Sequence, residues 1–325
     1  MYDLIGDIHG HADELQQLLA KLGYERSGGI YRHLERRIIF LGDFIDRGPK
    51  IREVLEIVRP MVETGTALTV MGNHELNALA YHTEDWESPG QYLRRHTESS
   101  TRQHARTIEQ LSAGDLVSHL RWFRSLPMWM ELDGLRIVHA CWDERSMAAI
   151  QAELNQNQGL TDAFLHSATR PGKPLYDPVE IVLKGKELLL PDEMFFHDKD
   201  GHLRTSARVR WYLPTKGHTF RSYSMTDEID CDDEIDASLL SDAVPYSADA
   251  KPVFIGHYWL NRSQPELLAS NVACLDFSVA KGGLLCAYRW GGEQTLTNDN
   301  FVWVVSGATA SHPHARSAAA LPRNH

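Results

Sequence analysis

Apolar and polar positions alternate in short blocks along the first third of the chain. Tyr2 to Ile5 is an apolar run of the length a buried strand needs. From Asp13 to Leu22 the apolar residues fall at Leu15, Leu18, Leu19 and Leu22, which lines one face of a helix. Arg37 to Leu41 (RIIFL) reads as a second strand. Ile51, Val54, Leu55 and Val58 line a second helix, and Ala67 to Met71 (ALTVM) reads as a third strand. Strand and helix taken in turn predict βαβ units and a largely parallel sheet.

The pattern then changes. Residues 75–124 are polar, rich in His, Arg and Gln, and read as mostly helical. Pro127 to Val138 reads as two strands around Asp133-Gly134, a hairpin signal. Over 144–250 short helical patterns give way to Pro-bounded loops and the acidic run Asp227 to Asp236 (DEIDCDDEID). Strand patterns return at Pro252–Ile255, Asn271–Phe277 and Leu284–Trp290. The expected organisation is one domain over 1–310, with insertions at about 80–125 and 144–250. An Ala-, Ser- and His-rich stretch, 311–325, is expected to be a frayed tail.

Composition narrows the classes. With 325 residues, 42% hydrophobic and 24% charged, the chain can bury a large α/β core. A formal charge of −11 argues against stable, non-specific binding along nucleic-acid phosphates, though not against a local cationic site. Cys141, Cys231, Cys274 and Cys286 form no CxxC pair, and their scatter fits a reducing cytoplasm. No basic segment followed by an apolar one opens the sequence, and no apolar run approaches the ~20 residues of a membrane span. A cytoplasmic protein without a membrane partner is expected.

The chemistry sits just after the predicted strands. GDIHG (6–10), GDFIDRG (42–48) and GNHE (72–75) follow the first three, His139 follows LRIV, and His257 follows VFIG. Asp7, Asp43 and Asn73 are 36 and 30 residues apart, matching the roughly 30 residues or more of a βαβ turn. The motifs should therefore lie side by side at the carboxyl ends of adjacent strands, where open α/β sheets bind ligands. Carboxylate, imidazole and amide donors without thiolate suit a pair of Mn, Fe, Zn or similar cations. Two cations need one ligand with two oxygens between them, and Asp43 is the choice for that bridge. Asp7 and His9 would complete one metal's ligands; Asn73, His139 and His257 would hold the other.

Blander readings weigh against single motifs. Gly-Asp pairs are common in turns, and a lone His after a strand is often a satisfied core residue. His11 reads as a helix-start residue. His218, in Gly217-His218-Thr219, competes for a ligand place, but PVFIGH makes His257 the cleaner strand-to-turn pattern. The remaining His, several of them between His82 and His119, read as surface residues. The acidic run reads as a solvated loop without EF-hand spacing, and Asp276 and Lys281 are unassigned.

Taken together, the three motifs and the later His resemble the calcineurin-like metallophosphoesterase superfamily. The arginine of GDFIDRG resembles the branch holding Ser/Thr protein phosphatases and symmetrical dinucleoside tetraphosphatases. The likeness covers roughly 1–80, 135–143 and 252–290; His139-Ala140-Cys141-Trp142-Asp143 departs from the usual His-Gly or His-Ala-Gly. The resemblance implies an α/β sandwich of two mixed β-sheets flanked by helices, with an inserted cap. It implies two divalent ions, Mn foremost with Fe, Zn, Ni or Co as alternatives, and in-line attack by a hydroxide shared between them. Arg47 would bind phosphoryl oxygens, His74 would protonate the leaving group, and Asp46 would orient His74. A second phosphate-binding arginine is implied, with Arg208 and Arg210 as candidates. The leading expectation is a phosphomonoesterase of the Ser/Thr protein phosphatase type, acting on a phosphoprotein or nucleotide. Cleavage of dinucleoside polyphosphates is the alternative. A non-catalytic binding scaffold is the remote one; its mark would be lost ligands or a lost His74.

Overall fold

In a computed structural model the apolar blocks become β1 (Tyr2–Ile5), α1 (Ala12–Leu22), β2 (Glu25–Ser27), β3 (Ile30–Arg32), β4 (Arg37–Phe40), α2 (Ile51–Glu63), β5 (Ala67–Thr69) and α3 (Asn73–Tyr81). The structure describes residues 1–191, 194–198, 201–236, 239 and 244–307, so the tail expected at 311–325 lies outside the described residues. A polar helix, α4 (Glu98–Gln110), and a more apolar one, α5 (Ala113–Phe123), follow, then the hairpin β6 (Trp129–Leu132) and β7 (Leu135–Val138). The hardest stretch to read supplies α6 (Glu144–Asn157), α7 (Asp162–Thr169) and α8 (Tyr176–Lys184). It continues with the short strands β8 (Glu187–Leu189), β9 (Phe196–His197), β10 (Leu203–Arg204) and β11 (Ser206–Arg208), and with α9 (Phe220–Tyr223). The strands β12 (Val253–Ile255), β13 (Val272–Cys274), β14 (Asp276–Phe277), β15 (Leu284–Trp290) and β16 (Phe301–Val305) complete the fold.

Two mixed sheets form its centre. In the larger, β1, β4 and β5 are parallel neighbours, and β15 runs antiparallel to β1. One edge of β15 carries β14 and β1 in succession, and the other carries β16. The second sheet has the order β13-β12-β7-β6, parallel except for the hairpin strand β6. Phe254 of β12 meets Tyr288 of β15 at 5.2 Å between ring centroids, joining the sheets. Leu4, Ile5, Ile38, Ile39 and Phe40 are wholly buried. That explains why β1 and β4 read as apolar runs rather than as alternating strands. The apolar stripes of α1 and α2 cover this sheet, α1 over β15 and β16 and α2 over β5.

Outside the 144–250 stretch, three strands were not anticipated. β2 and β3 form a polar hairpin around Gly28-Gly29, where no apolar alternation marks a strand. β16 (FVWVV) is an apolar run whose strand state depends on pairing with β15. Its register could not be read locally.

Candidate metal centre and its cavity

The loops after β1, β4, β5, β7 and β12 converge on one point. Six of the residues they carry adopt left-handed backbone: His9 (φ 44°), Asp43 (52°), Asp46 (66°), Arg47 (67°), His257 (72°) and Trp259 (52°). Non-glycine residues rarely occupy this region, and such strain collects where surrounding bonds over-determine the backbone. Those bonds are present. The amides of Ile8 and His9 both donate to the Asp43 carbonyl, at 3.1 and 2.9 Å. The Glu75 carboxylate accepts from the amides of Asp43 (2.8 Å), Phe44 (2.9 Å) and Gly72 (3.0 Å), locking the second motif to the third. Two glycines are required by close approach: a Cβ at Gly72 would lie 2.1 Å from Asp43 Oδ1, and one at Gly256 would lie 2.1 Å from Asp7 Oδ1.

The six expected ligands come together. Asp7, His9, Asp43, Asn73 and His139 are buried, and His257 is partly so. Asp43 Oδ2 lies 3.6 Å from His9 Nε2 and 3.3 Å from His139 Nε2. Asn73 Oδ1 lies 3.1 Å from His139 Nε2 and 2.7 Å from His257 Nδ1. The His257 amide donates to Asp7 Oδ2 at 3.1 Å. Among the described residues, two groups have metal-binding reach: His9, Asp43 and His74, and Asp43, His139 and His257. Asp43 belongs to both, as a bridging ligand must.

The donor set fits cations. His9 Nδ1 donates to the Ile45 carbonyl at 2.9 Å, so the proton is on Nδ1 and the Nε2 lone pair faces the Asp43 carboxylate without a hydrogen-bond partner. A lone pair opposed to a carboxylate makes physical sense with a cation between them. Burial, reinforced by His74, lowers the His9 pKa to about 3. Burial with Arg208 and His139 holds His257 well below the usual imidazole range. Both rings are thus neutral, the form a metal takes. Burial opposes a charge on His139, but Asp43 and Asp7 overcome it and raise its pKa to about 10. His139 Nδ1 donates to the Leu41 carbonyl at 2.7 Å, which leaves Nε2 as the atom facing the carboxylates. Burial and the neighbouring Asp276 push Asp7 well up. Carboxylates crowded this way call for positive charge.

Beside the ligands, His74 Nδ1 lies 2.6 Å from Asp46 Oδ2. Burial would raise the Asp46 pKa, but its bonds with His104 and His74 hold it below the usual carboxylate range. Asp46 is therefore the acceptor, and His74 carries its proton on Nδ1. The dyad opens on a cavity of about 1370 Å³ lined by Arg47, Arg94, Arg102, Arg106, Arg204 and Arg208, with Lys184 and Lys281. This basic wall stands in a chain of formal charge −11. The Arg47 guanidinium stacks over Trp259, 4.0 Å from its centroid, and Lys281 approaches the same ring at 5.6 Å. Trp259 is held in turn by Asp276, whose Oδ2 accepts its amide at 2.7 Å. Asp276 and Lys281, unassigned from sequence, thus support and line the site.

The structure separates the two arginine candidates. Arg208 lines the cavity, whereas Arg210 Nε donates to the Ser224 carbonyl at 3.0 Å and is not among the lining residues. The pairing of β11 ends at Arg208 and the chain turns, with the Trp211 amide bonded to the Val209 carbonyl, so strand alternation does not carry Arg210 to the same side. His218 bonds Ser222 Oγ at 3.2 Å, away from the ligands, and His11 stands at the start of α1. In the acidic run, exposed Asp230 and Asp232 pair with Arg221. One reading from sequence is corrected: His104 is a buried partner of Asp46, not a surface residue, His82 is partly buried against it, and His166 is buried under Trp86, with ring centroids 4.1 Å apart. Ser100, His104, Thr107 and Leu111 recur at helical spacing, but the face they form is largely polar and has the composition of one that meets water.

Known proteins resemble this chain in part or along most of its length. Relatives include the asymmetrical bis(5'-nucleosyl)-tetraphosphatases PrpE of Halalkalibacterium halodurans, 50% identical over 74 residues, and of Bacillus subtilis, 47% identical over 74 residues. In each case the match spans 22% of this chain and 30% of the relative, so the chain covers less than a third of the length of these curated relatives. Similar solved structures include a putative diadenosine tetraphosphatase (TM-score 0.46, 16% identity, 95% of this chain and 94% of that one). A serine/threonine phosphatase from Saccharomyces cerevisiae is also similar (TM-score 0.46, 14% identity, 96% and 81%). The calcineurin-like phosphoesterase family model matches residues 2–186, more than half of the sequence and all the motif loops up to His139, and the chain belongs to that family.

Proposed function

We propose that this protein is a dinuclear-metal-dependent phosphomonoesterase of the Ser/Thr protein phosphatase type. The observation that carries the reading is the place of Asp43 in both ligand groups, next to the His74–Asp46 pair. Asp7, His9 and Asp43 would hold one divalent ion, and Asp43, Asn73, His139 and His257 the other, with Mn the leading candidate. Bound there, the ions supply an activated water near neutral pH and Lewis-acid stabilisation of phosphoryl charge. Arg47, oriented by its stack on Trp259, binds the phosphoryl oxygens through charge-assisted bonds. His74, its Nδ1–H held by Asp46, delivers a proton from Nε2 to the leaving oxygen. Arg208, on the cavity wall, is the second phosphate-binding arginine. The complete ligand set leaves the scaffold alternative without its mark. Four free, buried cysteines support a cytoplasmic location.

A second reading, hydrolysis of dinucleoside polyphosphates, is favoured by the length of the basic wall, which extends beyond the contacts one phosphoryl group needs. One experiment addresses both: the Mn²⁺-loaded protein is assayed in parallel on an aryl phosphate, phosphopeptides and diadenosine tetraphosphate. Turnover of the first two supports the monoesterase. Preference for the third, by kcat/KM, favours the second reading. Full activity after exhaustive chelation, with metal verified as absent, overturns the metal-dependent mechanism.

A further inference from the structure

The Asp46 carboxylate is divided between two histidines. Oδ2 lies 2.6 Å from His74 Nδ1. Oδ1 lies 2.8 Å from His104 Nδ1 and 2.6 Å from Thr107 Oγ1, and the same Thr107 oxygen accepts the Asp46 amide at 3.0 Å. His104 and Thr107 stand on one face of α4, three residues apart, and both are buried. On the far side of its ring, His104 Nε2 lies 3.1 Å from His82 Nε2, so the ring is bonded at both nitrogens. Gln103, the residue just before His104 in α4, places its amide 3.4 Å from His74 Nε2, the nitrogen that faces the cavity. His104 itself is not among the cavity-lining residues and belongs to neither metal-binding group.

We propose that His104, with Thr107, is a positioning residue for the His74 general acid. Asp46 sits on strained, left-handed backbone (φ 66°), and its carboxylate would otherwise be free to rotate. Two donors fixed to Oδ1 hold its plane and leave Oδ2 to His74. That fixes the Nδ1–H tautomer of His74 and the direction of its Nε2. The helix carrying these donors is joined to β5 and α3 through the 82–97 segment, so the polar segment after the GNHE motif serves the proton donor rather than only walling the cavity. Misplacing a reacting group by about 1 Å can cost on the order of 10²-fold in rate, so the bond to Oδ1 is large enough to matter for turnover.

The inference rests on the general-acid reading of His74, and the test separates the two. Full-length, Mn²⁺-loaded His104→Ala, His104→Asn, Thr107→Val, His74→Asn and the His74→Asn/His104→Ala double variant are assayed on phenyl phosphate and p-nitrophenyl phosphate. For His104→Ala, kcat on phenyl phosphate should fall roughly 10–100-fold. On p-nitrophenyl phosphate, whose leaving group needs no proton, the fall should be under about threefold. KM and metal stoichiometry should hold. His104→Asn should recover most of the loss, because its Nδ2–H takes the place of Nδ1–H, and His104→Ala should add nothing in the His74→Asn background. In the metal-free protein, the ring ¹⁵N–¹H resonance of His74 Nδ1 should weaken in His104→Ala and return in His104→Asn. If His104→Ala fails to fold, Thr107→Val and His104→Asn carry the comparison, with a smaller leaving-group-selective loss expected of the former. Equal losses on both substrates, no loss on either, or additivity in the double variant overturns the role of His104, provided His74→Asn keeps its leaving-group dependence. If His74→Asn lacks that dependence, the general-acid reading falls and the positioning role falls with it.

Discussion

The motif loops and the cavity wall are built on opposite plans. The loops after β1, β4 and β5 hold the buried candidate ligands on strained backbone, each tied to its neighbours by hydrogen bonds to amides and carbonyls. The cavity wall draws on α4, which carries Arg102 and Arg106, and on the short pairs β8 with β11 and β9 with β10, whose Arg204 and Arg208 are partly exposed. Arg204 is held by Asp198 on its own hairpin, and Arg208 by the Lys184 carbonyl and Glu187. On the proposed reading, a rigid, strained centre would fix the reaction, while a loosely braced basic wall would vary the molecule presented to it. Substitutions of the candidate ligands should therefore affect all substrates alike, a substitution at His74 should follow the leaving group's need for a proton, and those in the second region should change the ranking of substrates by their anionic reach.

The largest effect is expected at the bridge. Asp43→Asn removes the charge shared by both ligand groups, so bound metal, read by elemental analysis, should fall below two ions per chain and activity should fall to background on every substrate. Full metal occupancy in that variant would break the comparison at its root. Next is His74→Asn, expected to cost roughly 10²–10⁴-fold on phenyl phosphate and far less on p-nitrophenyl phosphate. Arg47→Ala should lower kcat/KM and weaken inhibition by inorganic phosphate by roughly 10–100-fold, the worth of a charged hydrogen bond or two, with metal content unchanged. Arg47→Lys should recover only part, since a point charge does not reproduce a bidentate fork. Loss of metal in Arg47→Ala would assign that side chain to the centre's scaffold instead.

Smaller effects belong to the wall. Arg102→Ala and Arg204→Ala should leave aryl phosphate turnover within about threefold while lowering kcat/KM on diadenosine tetraphosphate several-fold, as loss of exposed cations facing an extended anion should. The effect should shrink as salt rises. Equal changes on both substrates would remove the distinction between reaction centre and recognition wall. The smallest effect is expected at Asp232→Asn in the acidic run, where the exposed pair with Arg221 lies away from the ligands and kinetics should not change.

The sequence by itself determined the centre. Apolar runs of strand length at βαβ spacing force successive strand ends to the same edge of a sheet, so the order of GDIHG, GDFIDRG and GNHE already put Asp7, Asp43 and Asn73 together. His139 and His257 followed from the same rule on β7 and β12. Only the tertiary structure decided the rest. A polar helix face buried against a carboxylate has the same composition as one facing water, so α4 gave no local sign that His104 and Thr107 hold Asp46. Arg208 and Arg210 are two residues apart on a seeming strand, and the end of the β8–β11 pairing sent one into the cavity and the other to Ser224. Residues close in sequence are placed by periodicity. Polar partners from distant segments are placed by packing, and nothing in their own neighbourhood records it.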